Sequence, residues 1–175
     1  ELDFSKLHDA PVRQRKAKWV NATNPVEAPT MNDSGAVLRL VLGDFAVVSR
    51  EPIIREYDHE VQGNTVLKPL GGAAGDAPQD AAVMRINGSE KLMSMSVAIL
   101  PEWGKTDHYA MGAACVDECV RQLVASGADP DRLAILDNFC MGNPDAEEEL
   151  GALVETVKAI AAAAEMSDLV DWRAL

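Results

Sequence analysis

Ala81-Ala-Val-Met-Arg-Ile-Asn-Gly-Ser-Glu-Lys-Leu-Met-Ser-Met-Ser-Val-Ala-Ile99 is the stretch whose reading decides the fold. Two apolar runs, Ala81–Ile86 and Leu92–Ile99, flank Asn87-Gly88, a dipeptide that tolerates the positive φ angles of a tight hairpin turn. The spacing predicts two antiparallel strands. In the second, Met93, Met95 and Val97 alternate with Ser94 and Ser96, so one face of the strand is wetter than the other.

After the hairpin, Pro101–Thr106 turns the chain into a helix expected from about Asp107 to Ser126, stopped by Gly127 and Asp129-Pro130. Leu133–Leu136 reads as a short buried strand ending at the polar pair Asp137-Asn138. A last helix is expected from Asp145 to about Met166, with Glu147, Glu148 and Glu149 at the positive end of its dipole. Its expected core face is Leu150, Leu153, Val154, Val157, Ile160 and Ala161. Before the hairpin, Asp33-Ser34 caps a helix running from about Gly35 to Val48, and a second short helix runs from Glu51 to Tyr57. Asn64–Leu67 reads as a strand. Lys68-Pro-Leu-Gly-Gly-Ala-Ala-Gly-Asp76 is a loop by composition, without the Gly-Lys-Ser/Thr ending of a phosphate loop. Residues 1–33, punctuated by Pro11, Pro25 and Pro29, read as a linker arm lying over a surface, with Trp19 among its anchors; residues 34–175 read as one domain. The order helix, strand, hairpin, helix, strand, helix predicts an α+β fold, its mixed or antiparallel sheet covered by helices on one face.

Composition narrows the function classes. The chain has 175 residues, enough to bury a core, and its 47% apolar but only 5% aromatic content predicts a core of Ala, Val, Leu and Met. Net charge is −12, although residues 1–19 carry five basic residues (Lys6, Arg13, Arg15, Lys16, Lys18) against three acidic ones. Such acidity excludes a nucleic-acid partner, which needs clustered Lys and Arg against its phosphates. No apolar run approaches the ~20 residues of a membrane span, and the charged N-terminus lacks a secretory apolar stretch, so a cytoplasmic location is expected. The first residue is not Met, which suggests a processed or excised piece. Cys115, Cys119 and Cys140 cannot all pair and read as small buried residues of a reducing compartment.

Three polar groups are candidates for chemistry. Asp137 and Asn138 leave a predicted strand just before a Gly-Asn-Pro loop and a helix start, where a carboxylate can hold a phosphate-bound metal and an amide can bond a base or sugar. Alternatively, both side chains tie the loop to its own backbone. Glu118 and Gln122, four apart on a mostly apolar helix, share one face. Glu118 is there either a magnesium ligand or lysine partner, or a solvated acid at the margin of the apolar face. Asp58, His59, Glu60 and Gln62 crowd the approach to a strand and are equally suited to acid–base work or to fastening a loop.

Several segments, in order, resemble the formylglycinamide ribonucleotide amidotransferase (phosphoribosylformylglycinamidine synthase) family. They are Glu1-Leu-Asp-Phe-Ser-Lys-Leu-His-Asp9 with Arg13–Trp19, Ile53-Ile-Arg-Glu-Tyr-Asp-His-Glu-Val-Gln-Gly63 and Asp80-Ala-Ala-Val-Met-Arg85. Asp107-His-Tyr109, Asp117-Glu118, Gly127-Ala-Asp-Pro130, Asp137-Asn138 and Gly142-Asn-Pro144 continue the match. The resemblance implies the N-terminal-type domain of the second half of the synthetase, with the fold of the aminoimidazole ribonucleotide synthetase N-terminal domain. Two such domains pair their sheets into a barrel on dimerisation. It also implies an ATP-dependent carbon–nitrogen ligase of purine biosynthesis, converting formylglycinamide ribonucleotide to the amidine with ammonia from glutamine.

By position, the resemblance makes Asp137, with Asn138, an ATP contact and Glu118 a Mg2+ ligand. No catalytic residue is carried over, because the catalytic histidine and substrate segment of the first half have no counterpart here. Two departures weaken the metal site: Gln122 stands where the family has asparagine, and the aspartate expected before Pro101 falls at about Ala98. The implied partners are the remaining domains of the enzyme, a glutaminase domain or subunit, and nucleotide. The fragment is expected to be inactive alone, and to form a homodimer through the sheet face that includes Met93, Met95 and Val97. The rival expectation is a structural, barrel-forming module with a degenerate nucleotide site. The Gly-Val-Gly-Thr-Lys type loop of aminoimidazole ribonucleotide synthetase is absent, as is the reactive Cys or Sec with Lys of selenophosphate synthetase.

Overall fold

The computed structural model describes residues 12, 14–19, 32–56 and 60–166. Among the described residues five strands are formed: β1 (Thr65–Leu67), β2 (Leu70–Gly71), β3 (Ala77–Pro78), β4 (Ala81–Arg85) and β5 (Leu92–Ser96). The helices are α1 (Ser34–Leu42), α2 (Glu51–Glu56), α3 (Pro101–Gly104), α4 (His108–Ala125) and α5 (Glu147–Met166). β1, β4 and β5 make a three-stranded antiparallel sheet in the order β1-β4-β5, and β2 and β3 pair separately. The α+β architecture expected from the sequence is present.

The hairpin forms as its turn chemistry dictates. Gly88 has φ 72°, and the Ile86 N–H donates to the Lys91 carbonyl at 3.0 Å to close the loop. Cross-strand pairs Val83↔Ser94 and Ala81↔Ser96 fall on one face, and Met84↔Met93 and Ala82↔Met95 on the other. The first face meets α4: Ala81 and Val83 are buried, and the Ser96 hydroxyl donates to the Cys119 carbonyl at 3.0 Å. The opposite face is open. Met93 and Met95 are 45% and 52% exposed, and Val97 and Ile99, which follow β5, are 78% and 75% exposed. The more apolar side of the strand therefore faces away from the chain's own helices.

The two long helices pack through small residues. Ala152, Thr156 and Ala159 of α5 are buried together with Gly112 and Val116 of α4. A β-carbon at Gly112 would stand 2.8 Å from the Thr156 carbonyl oxygen and 3.1 Å from the Ala159 methyl, so the closeness of the crossing depends on glycine. Thr156 satisfies its buried hydroxyl by donating to the Ala152 carbonyl at 3.0 Å. This corrects the expected core face of α5: Val157 and Ala161 are exposed, while Leu150, Leu153, Val154 and Ile160 are half-buried. The seam uses the smallest residues because they allow the closest approach.

Helix ends follow their caps. The Asp33 carboxylate accepts from the Gly35 N–H at 2.8 Å, and the Asp107 carboxylate from the Ala110 N–H at 2.9 Å. α1 stops earlier than the expected Val48, because the Asp44 side chain accepts from the Ala46 N–H at 2.7 Å and turns the chain. The glycine-rich loop contains the short β2–β3 pair, with Gly72 at φ 79° and Gly75 at φ 61° between the strands. Leu133–Leu136 is not a strand. Leu133 is buried, but the segment has no hydrogen-bonded neighbour among the described strands, and Leu136 is 95% exposed. Cys115 and Cys119 are half-buried, but Cys140 is exposed on the loop that follows.

Within the expected arm, residues 14–19 lie on the starts of both long helices. The Lys18 N–H donates to the Glu147 carbonyl at 2.9 Å, and Arg15 Nε donates to Asp145 Oδ1 at 2.9 Å. The Trp19 and His108 rings meet edge-on, with centroids 4.7 Å apart and planes at 76°. The Lys18 carbonyl occupies the space that a β-carbon on Gly151 would need.

Candidate nucleotide and metal site

Asp137 and Asn138 lie on the irregular segment between buried Leu133 and the Gly142-Asn-Pro144 turn. They do not leave a sheet edge, because that segment pairs with none of the described strands. Both are exposed, and neither side chain makes a hydrogen bond among the described residues. The structure thus overturns the reading in which these two side chains fasten their own loop. Asn143 does that work: its Oδ1 accepts from the Asp145 N–H, and its carbonyl from the Ala146 N–H, each at 3.0 Å. Gly142 lies directly against the Glu149 side chain, where a β-carbon would overlap the carboxylate. The turn is therefore seated on the first turn of α5.

Although the Asp137 residue is open to solvent, the chain around it shields part of its carboxyl from water and pushes it above the usual carboxylate range, with no donor among the described residues to counter the effect. An uncompensated, partly desolvated carboxylate gains from any cation brought beside it.

Glu118 is half-buried on α4, and its Oε1 accepts from Gln122 Nε2 at 3.3 Å. Gln122 Oε1 is buried and has no hydrogen-bond partner among the described residues. Reversing that amide would set two oxygens against each other, so the orientation follows from Glu118 itself. Glu118 offers a hard carboxylate oxygen of the type magnesium takes, whereas Gln122 turns its amide nitrogen toward that carboxylate and keeps its oxygen buried. Among the described residues no group of three or more His, Cys, Asp or Glu side chains is placed to hold a metal ion. The donor set fits magnesium in kind but supplies only part of a coordination sphere. One turn earlier, burial raises the Cys115 thiol above its ordinary value; a hydrogen bond with the Leu100 backbone works against this, and Cys119 and Glu118 add to it. No hydrogen bond or ion pair among the described residues joins Glu118 to Asp137 or Asn138.

In the third candidate cluster, Asp58 and His59 lie outside the described residues. Glu60 forms an ion pair with Lys68 at 2.8 Å, and Gln62 is exposed. Sequence reasoning missed the orphaned Gln122 oxygen and the roles of Asn143 and Gly142. Only the Gly-Asn-Pro turn signal pointed toward the last two.

Residues 78–170, more than half of the chain, match the family described as AIR synthase related protein, N-terminal domain. The chain belongs to this family. The matched region contains the hairpin, both long helices, Glu118, Gln122, Asp137 and Asn138, but not the Asp58–Gln62 cluster. The chain is also similar to curated relatives called phosphoribosylformylglycinamidine synthase subunit PurL. The relative from Deinococcus radiodurans is 41% identical over 133 residues, covering 76% of this chain and 17% of the relative. That from Thermococcus sibiricus is 34% identical over 164 residues, covering 94% and 21%. That from Methanocaldococcus jannaschii is 37% identical over 178 residues, covering 97% and 22%. The chain spans about a fifth of the length of the relatives it matches. Among the described residues no helix is long and apolar enough to cross a membrane.

Proposed function

We propose that this chain acts as one domain of a phosphoribosylformylglycinamidine synthase, the N-terminal-type domain of its second half, and contributes a nucleotide contact to the ATP-dependent ligase. The observation that carries the assignment is the similarity to the Methanocaldococcus jannaschii subunit, 37% identical across 97% of this chain. In this reading Asp137 and Asn138 contact ATP, and Glu118 takes one side of a Mg2+ ion. ATP, when bound, supplies the phosphoryl group that turns an amide oxygen into a leaving group. The remaining ligands come from the rest of the enzyme, and ammonia from glutamine through a glutaminase partner. The setting is cytoplasmic purine biosynthesis, and the isolated domain is inactive.

The test is Asp137→Ala in the full-length enzyme. Losing a carboxylate that touches bound nucleotide raises the KM for ATP about tenfold or more while the protein stays folded, as expected for a charge-assisted contact of about 1.5–3 kcal/mol. Unchanged kinetics would refute the contact.

A second reading, that the domain serves chiefly as a scaffold, is favoured by the apolar sheet face turned outward at Met93, Met95 and Val97. A face of that kind suits a second domain of the same type, or a second copy of this chain, closing the sheet into a barrel. Normal turnover in Asp137→Ala would leave this scaffold role as the better account.

A further inference from the structure

Arg15 and Lys18 bind the start of α5 while Trp19 packs on His108 at the start of α4, and the first turn of α5 also carries the Gly142-Asn-Pro144 seat. Two short routes connect them. Asp145 accepts from Arg15 through its side chain and donates through its backbone N–H to Asn143 Oδ1. Glu147 accepts from the Lys18 N–H, and Glu149, two residues on, covers Gly142. Gly151 is bare because the Lys18 backbone lies on it, so the seat for residues 14–19 is built into α5. Arg15–Asp145 also stands apart from the other ion pairs between described residues. They join positions at most eight apart, whereas this one spans 130.

We infer that residues 14–19 are a strap that holds the Asp137–Met141 segment in its nucleotide-binding position, with Arg15 and Lys18 as positioning residues. The inference rests on the reading of Asp137 as a nucleotide contact. The strap acts through α5 and Asn143 and never touches the nucleotide. Displacing it loosens the seat of the loop, so binding of ATP suffers more than the chemical step.

The experiment uses the full-length enzyme. Gly151→Ala drives a methyl group into the Lys18 carbonyl. Arg15→Ala removes only the ion pair, and serves if the first variant fails to fold. Hydrogen exchange at the Lys18 amide should accelerate in Gly151→Ala. In both variants the KM for ATP should rise about tenfold with kcat held within about twofold, and Arg15→Lys should restore part of it. The KM for ammonia should not move, which distinguishes positioning from general loosening of the fold. The inference is overturned if the KM for ATP is unchanged in both variants, or if the Lys18 amide stays equally protected in Gly151→Ala. Asp137→Ala, measured alongside, separates the two failures. If it too leaves the KM for ATP unchanged, the nucleotide contact and the strap fall together. If it raises the KM while the strap variants do not, only the strap falls.

Discussion

Replacing Met95 with aspartate distinguishes an interface residue from a core residue, because the two assign opposite costs to the change. Met95 sits on the outward face of β5 and is 52% exposed, with Met93 beside it at 45% and Val97 beyond at 78%. Fully burying a methionine is worth about 1.5–3 kcal/mol, so the exposed half of Met95 has about 1 kcal/mol left to gain from a partner. A carboxylate forced into the same covered position neutralises itself at a cost of about 4 kcal/mol at neutral pH, of which residual contact with water relieves up to about half. The loss is then at least about 3 kcal/mol per copy and about 6 kcal/mol across a two-fold contact, where each substitution counts twice. That is a rise of about 10,000-fold in the dissociation constant. In the separate chain the aspartate points into water and changes folding stability by less than about 1 kcal/mol. Sedimentation equilibrium over a concentration series should show self-association of the wild-type chain and a monomer for Met95→Asp, with urea midpoints nearly the same. A variant that associates as strongly as wild type refutes the assignment of this face. So does a variant that unfolds, since Met95 would then be covered by the chain itself.

Two further substitutions address the helix seam and the candidate site. Gly112→Val places a branched side chain where even a β-carbon meets the Thr156 carbonyl oxygen at 2.8 Å, so overpacking outweighs the modest gain in helix propensity. A net loss of about 2 kcal/mol, read as a melting midpoint lower by roughly 4–8 °C, is expected; an unchanged midpoint would mean that α4 and α5 do not approach closely there. Asp137→Asn should stabilise the chain at neutral pH. The folded carboxyl binds its proton more tightly than the unfolded one, so the wild type loses stability as pH rises from the ordinary carboxylate range through the raised folded value. Urea midpoints measured from acid to neutral pH should therefore show the two proteins converging at the acid end. A gap independent of pH would sink the desolvation argument.

Much of the fold was legible in the sequence because local chemistry dictated it. Asn87-Gly88 set the hairpin turn, and Asp33 and Asp107 capped the helices that follow them. Each signal acts over a few residues and needs no knowledge of the rest of the chain. The Leu133–Leu136 strand failed for the opposite reason. Apolar character makes a run eligible for a sheet, but a strand exists only where a neighbour supplies hydrogen bonds, and none of the described strands does. The small β2–β3 pair was hidden because its residues are those of a loop, and only its register reveals it. At the candidate site, residue types were readable but partners were not. Nothing in Glu118-x-x-x-Gln122 announces that the amide oxygen is buried without a donor, nor does Gly151 advertise that backbone from more than a hundred residues earlier lies upon it.

The alternation in β5 shows why direction is harder to read than pattern. Methionine and serine in turn predicted two unlike faces, and the ordinary inference places the apolar one against the chain's own helices. The observed arrangement is reversed. Serines face α4, and the Ser96 hydroxyl finds the Cys119 carbonyl, while the methionines face outward. Small side chains on the helix face let α4 approach, and the serine hydroxyl is satisfied without water. Larger, flexible methionines on the other face suit a surface that must fit another surface. A domain evolved to stand alone would gain by exchanging the two faces, because the present order leaves its best apolar strand in water. The methionine face suits a covering surface, and Met95→Asp tests whether one is there. A sequence pattern can therefore specify two faces completely and still leave open which of them the chain's own helices cover.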